Sequence, residues 1–354
     1  MALTDKENWL RTVKMTNPQY MPYRIGITQS TWSALGAELE QVLLHHPKTW
    51  PNFKKGSYDW KRQKPKPRQD PEHDYVDAWG SVWRTTVAGN TGTVIKPALS
   101  DLSILDSYKP PQPETYCGGF HSVDWAIESK RLTKAKAEGN IARGNLTHGF
   151  YLLRLEYLRG FENLMYDFIE EPPEFLRLVD IVQKLDKTAV QNWINAGAEV
   201  IGLPEDLGSQ SGSLIGPKLF HKWVFPHYKD LYQMIHDAGR LINFHCDGNI
   251  MDISDDICIL RPDVFNPQDM VNGIENITKT FKGRFCIDLD FDRQSTLPFG
   301  TPNEIRELLE YEIKTLGSSN GGLMIHVEVR GPIPPENIDA LTTSLEQLST
   351  YWFE

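Results

Sequence analysis

From about residue 140 to the C-terminus, short apolar runs alternate with stretches of helical period, and this constrains the fold more than any other feature. Apolar residues three and four positions apart mark helices, and brief apolar runs bounded by turn residues mark buried strands. This predicts strands over 140–147, 199–206, 240–246, 263–265, 284–289 and 323–327. Helices are predicted over 151–169, 174–196, 217–238, 250–260, 273–281, 302–316 and 335–351. Strands that alternate with helices pair in parallel. No Gly-x-Gly-x-x-Gly follows any strand, so a dinucleotide-binding fold has no support. The expectation is an α/β chain, a (β/α)8 TIM barrel over 1–354, in which 1–125 forms an aromatic-rich N-terminal cap.

Composition narrows the partners. Apolar residues make up 40% and charged residues 24%, a soluble balance, and no apolar run is long enough to span a bilayer. A net charge of −10 disfavours nucleic acid and anionic membrane as partners. The N-terminus lacks the apolar core of a secretory signal. Four scattered cysteines, Cys117, Cys246, Cys258 and Cys286, make no disulfide framework and point to a reducing cytoplasm. One segment departs from the rest: residues 51–74 are basic and proline-rich and read as a surface excursion or lid.

In a parallel barrel, chemistry gathers where strands end. The strand ends here read Pro204-Glu205-Asp206, then His245-Cys246-Asp247-Gly248, then Cys286-Ile287-Asp288-Leu289-Asp290, then His326-Val327-Glu328. Each carries imidazole, thiol or carboxylate, and the expectation is that they converge on one polar pocket. Side chains alternate along a strand, so His245 and Asp247 share a face and Cys246 points away from it. The residue types match zinc, although no closely spaced cysteine pair supports a metal locally. A small buried apolar residue is the plain reading of each cysteine.

The segments HCDGNI, IDLDFDRQSTLPFGTPNEI and GGLMIHVEVRGPIPPENIDAL, with PEDLGSQSGSLIGPKLFHKW before them, resemble the uroporphyrinogen decarboxylase-like superfamily over about residues 140–354. The resemblance implies a (β/α)8 barrel that either decarboxylates a tetrapyrrole or moves methyl groups to and from a corrinoid protein with zinc. A single arginine, Arg24, stands where the decarboxylases carry several, which disfavours a many-carboxylate substrate. The His-x-Cys-Gly of the thiol-methylating members is His245-Cys246-Asp247-Gly248 here, and no cysteine follows near the C-terminus. The chain therefore resembles the methyltransferase I component of O-demethylases. That resemblance implies a small methoxylated, aromatic substrate, zinc, and a corrinoid (cobalamin) on a separate carrier protein. It implies metal ligands among Glu205 or Asp206, Cys246 and Cys286, with His245 able to substitute. Catalytic roles fall to His245, Asp247 and Glu205, and substrate contacts to Trp32, His326 and Glu328. Transfer from methylamines or thiols, tetrapyrrole decarboxylation and a non-catalytic binding barrel are the alternatives.

Seven of ten tryptophans lie within residues 1–125, where they either line a flat pocket or pack the cap. Packing is the reading for most of them, with Trp32 the best candidate for a pocket wall.

Overall fold

The structure, a computed structural model, describes residues 2–117 and 122–353. The strands are β1 (Tyr23–Ile27), β2 (Tyr75–Val76), β3 (Val82–Arg84), β4 (Thr93–Lys96), β5 (Arg143–Asn145), β6 (Val200–Asp206), β7 (Leu241–Asp247), β8 (Val264–Pro267), β9 (Cys286–Asp290) and β10 (Leu323–Val329). Seven of these, β1 and β5–β10, are the parallel strands of an α/β fold of the TIM-barrel type, with helices between them.

The chain divides into two compact units, one of residues 1–71, 86–91 and 267–354, the other of residues 72–85 and 92–266. In the first unit β1 pairs in parallel with β10, and β10 with β9. In the second, β5 pairs with β6 and β6 with β7, and the small antiparallel sheet β2–β3–β4 lies outside that ladder. The parallel strands are nearly continuous apolar runs because both faces are covered, and Ile201, Leu203, Ile242, Phe244, Ile287, Leu289, Ile325 and Val327 are buried.

Local chemistry explains the element ends. Thr301 caps the helix Pro302–Leu316 in a capping box with Glu304, and Pro302 occupies the first turn, where its missing N–H costs nothing. The single helix predicted over 151–169 is two, Leu152–Arg159 and Phe161–Glu170. Gly160, at φ +78°, breaks the run, a conformation open to glycine and costly to other residues. The helix predicted over 217–238 is also interrupted, by a widened turn at Phe220–Val224 just before Pro226. Proline has no N–H to donate and its ring crowds the preceding turn, so the backbone opens there.

The tryptophans of the second unit pack. A fully buried pair, Arg154 and Asp77, lies 3.0 Å apart, and Asp77 also accepts from the Trp83 indole at 3.0 Å. The Arg154 guanidinium sits 5.4 Å from the centre of the Trp79 ring. Asp77 also accepts from the N–H groups of Trp79 at 2.9 Å and Ser81 at 3.0 Å, so the buried carboxylate is well satisfied. Trp125 stands edge-on to Trp193 at 4.9 Å. In the first unit Trp32 is 6% exposed, enclosed by Tyr58, Trp60 and Phe53 at centroid distances of 4.6, 5.6 and 6.0 Å.

Candidate active site

The polar groups of the second unit gather at the C-terminal ends of β5 to β8. Two glycines make that edge possible. A Cβ on Gly248 (φ +83°) would lie 2.2 Å from the Gly208 backbone, and one on Gly208 would lie 2.6 Å from the Gly248–Asn249 backbone. The turns after β6 and β7 therefore touch backbone to backbone, tied by the Asn249 N–H to the Ser209 carbonyl at 2.6 Å. Glycine follows both the PEDL and the HCD segments for this steric reason.

Register then sets the side chains. Asp206 and Asp247 are partners across β6 and β7, as are Glu205 and Cys246. Along β7 burial alternates strictly, so Asn243, His245 and Asp247 face the open side while Phe244 and Cys246 are buried. After β5 the chain stays beside β6, the Gly149 N–H donating to the Pro204 carbonyl at 3.1 Å. This puts His148 against Asp206, its Nε2 2.9 Å from the carboxylate. His148, Asp206 and His245 each bring one ligand-type atom to within 4.8 Å of the others.

Around this trio the outer contacts are specific. His245 Nδ1 lies 2.7 Å from Asn266 Oδ1, an acceptor, so Nδ1 carries the proton and Nε2 is left to bind. That Nε2 is 3.5 Å from Asp247 Oδ1. Burial pushes the Asp206 carboxyl up, but the His148 bond and charge, then the His245 charge, hold it below the usual range. Burial pushes His148 down, and the Asp206 bond and the nearby carboxylates outweigh it, so His148 holds its proton above the usual pH.

Glu205 faces the other way. It is fully buried and accepts from the backbone N–H groups of Tyr151 and Leu152 at 3.0 Å and Leu153 at 3.2 Å, and from the Tyr228 hydroxyl at 3.0 Å. It thereby satisfies the first N–H groups of the helix Leu152–Arg159, whose positive end favours a carboxylate. Burial pushes its pKa up to about 7 against those bonds. The Cys246 thiol is likewise buried, accepting from the Leu207 N–H at 3.2 Å, and burial pushes its pKa well up. Cys246 lies on the buried face of β7, whereas His245 and Asp247 lie on the other.

The first unit has its own polar strand ends. Arg24 Nη2 is 3.2 Å from Asp288 and 3.0 Å from His326 Nδ1. Arg293 pairs with Asp290, and Arg330 with Glu328 at 2.6 Å. Cys286 begins β9 rather than ending it, so it lies about 13 Å from the level of Asp290. Burial, with the Asp288 charge, pushes its thiol well up.

Of the residues that the sequence singles out, His245, Asp206 and Asp247 come together, while Glu205 and Cys246 sit on the buried face of the same strands. His326 and Glu328 are engaged with arginines, and Trp32 and Cys286 are buried. Sequence reasoning misses His148, although NLTHG after a predicted strand is a polar strand end of the same kind as the other four.

Comparison with known proteins agrees with this architecture. A methyltransferase from Methanosarcina mazei aligns over 97% of this chain and 98% of its own, with a TM-score of 0.64 and 14% identity, which establishes a shared fold. A B12-independent methionine synthase from Shewanella sp. W3-18-1 aligns over 65% of this chain and 68% of its own at a TM-score of 0.41 and 11% identity, too distant to carry an argument. No curated protein matches the sequence. The family described as uroporphyrinogen decarboxylase (URO-D) matches residues 84–348, most of the chain, and the protein belongs to that family.

Proposed function

We propose that this protein is a methyltransferase that takes the methyl group of a methoxylated, aromatic substrate and passes it to a corrinoid carried by a separate protein. One observation carries the reading: two imidazoles and a carboxylate from three strand ends converge on the open side of the sheet. Methyl transfer is also the activity named for the Methanosarcina mazei protein of the same fold, and the URO-D family fits it.

The donor set suits zinc. Zinc takes imidazole nitrogen and carboxylate oxygen at about 2.0–2.2 Å in a tetrahedron, and a catalytic ion keeps one position open. His148, Asp206 and His245 would hold it, with Asn266 fixing the His245 tautomer and Asp247 alongside. When bound, zinc supplies a Lewis acid for an ether oxygen. His148 must give up its proton to become a ligand, so loading releases a proton. In the reaction the methyl carbon bonds to the reduced corrinoid, the carbon–oxygen bond breaks, and its electron pair stays on the aryl oxygen. The oxygen leaves as phenolate and takes a proton from water. The protein orients the partners and lowers the cost of the charge on oxygen.

The test uses purified protein, free reduced cobalamin and three methyl donors: a guaiacol-type ether, a methylamine and methyl-coenzyme M. The expected result is one bound zinc by elemental analysis and methylcobalamin formed from the ether, lost in Asp206→Ala. Turnover with the amine or thioether alone would overturn the substrate class. Release of carbon dioxide from a carboxylated tetrapyrrole would overturn methyl transfer itself.

A further inference from the structure

The segment from residue 51 to 68 carries seven basic residues and one acid, Asp59, in a chain whose net charge is −10. Lys54, Lys55, Lys61, Lys64 and Lys66 are all exposed. None of these five ammonium groups has an ion-pair or hydrogen-bond partner among the described residues, where Asp59 is taken by Arg62 at 3.4 Å. The segment is nevertheless anchored. Trp60 stacks on the buried Trp32 with ring planes 17° apart, and Tyr58 lies 4.6 Å from the same ring. Gly36 admits the Trp60 edge, because a Cβ there would meet its Nε1 at 2.8 Å. The Gly56 N–H donates to Glu40 at 2.6 Å.

Flexible lysines on a loose loop would spread apart and be solvated. Here an aromatic clasp holds five of them on a short arm, where their mutual repulsion goes unrelieved. An arm of this kind attracts a negative surface and orients it before contact. The remaining chain is strongly acidic and repels a rigid duplex or a broad anionic bilayer, whereas an acidic polypeptide can engage the arm locally, which favours a protein partner over nucleic acid or membrane. We infer that the basic arm at 51–68 is a docking surface for an acidic partner protein. Naming that partner as the methyl-accepting carrier rests on the methyl-transfer reading, whereas the docking surface does not.

The test compares three forms of the full chain. One is wild type, and one has Lys54, Lys55, Lys61, Lys64 and Lys66 changed to Ser. The third, with the same change in net charge, has the exposed Lys14, Lys109, Lys130, Lys218 and Lys229 changed to Ser. The probe is fluorescent poly-L-glutamate, with duplex DNA and phosphatidylserine vesicles as the rival surfaces. Wild type is expected to bind poly-glutamate in a salt-sensitive manner, the arm variant to lose association on the order of 10- to 1,000-fold, and the control to stay near wild type. Equal loss in the control would overturn a local docking surface. Binding to DNA or vesicles at about 0.15 M salt, with none to poly-glutamate, would overturn the partner class. The assay needs no methyl donor, so failure of methyl transfer leaves it intact.

Discussion

The two units carry the same kind of strand end and use it differently. In the first unit the carboxylates at the ends of β9 and β10 are matched to guanidinium groups: Asp288 to Arg24, Asp290 to Arg293, Glu328 to Arg330. In the second, Asp206 is matched to an imidazole, His148, with a second imidazole, His245, beside it. A guanidinium cannot be deprotonated and cannot ligate a metal, so the first set is already neutralised. An imidazole can give up its proton and bind, so the second set is open to a cation. Polar strand ends alone therefore do not identify a reactive centre; the chemistry of the partner does.

The largest effect that would break this contrast is removal of a proposed ligand. His245→Ala or Asp206→Ala should abolish stoichiometric zinc in elemental analysis, and retention of full zinc would remove the second unit's distinction.

Next in size is Glu205, buried behind the site. Its folded pKa, about 7, lies above the ordinary 4.5, so the fold favours the protonated form. That contribution is fully present below pH 4.5 and is lost as pH rises from 4.5 to about 7. The shift corresponds to roughly 3 kcal/mol. Glu205→Gln should flatten the fall of Tm over that window; an unchanged slope would show that the helix-end N–H bonds keep the carboxylate ionised throughout.

Asn266→Ala removes the acceptor that fixes His245, and zinc affinity should fall about 10- to 100-fold by competition with a chelator. Unchanged affinity would mean the tautomer needs no such support. Smallest is Arg330→Ala in the first unit. Its guanidinium is more than half exposed, so breaking the Glu328 pair should change stability by about 0–1 kcal/mol in urea melts and leave zinc content alone. A loss of zinc there would erase the difference between the two sets.

Much of the fold is legible in the sequence because its signals are local. Strand and helix periods and the Thr301 cap act within a few residues, and the two-residue alternation along β7 is enough to separate His245 from Cys246. Other features depend on distant partners. His148 meets Asp206 only through the β5–β6 register and a loop that keeps to β6, a relation across 58 positions. Glu205 reads as an open acid until the helix it caps is seen above it. Cys286 and Asp290 read together as one polar strand end, yet Cys286 begins the strand, and the starting point of a buried apolar run is poorly marked in sequence. The helix breaks at Gly160 and Pro226 carry visible signals, which the apolar period outweighs.

The chemistry of the second unit turns on whether His148, Asp206 and His245 hold one metal ion. Anomalous diffraction at the zinc edge, on crystals grown with zinc, tests it most directly. A single strong peak is expected about 2.0–2.2 Å from the two imidazoles and the Asp206 carboxylate. A peak at Cys246 or Cys286, or none at this trio, would contradict it.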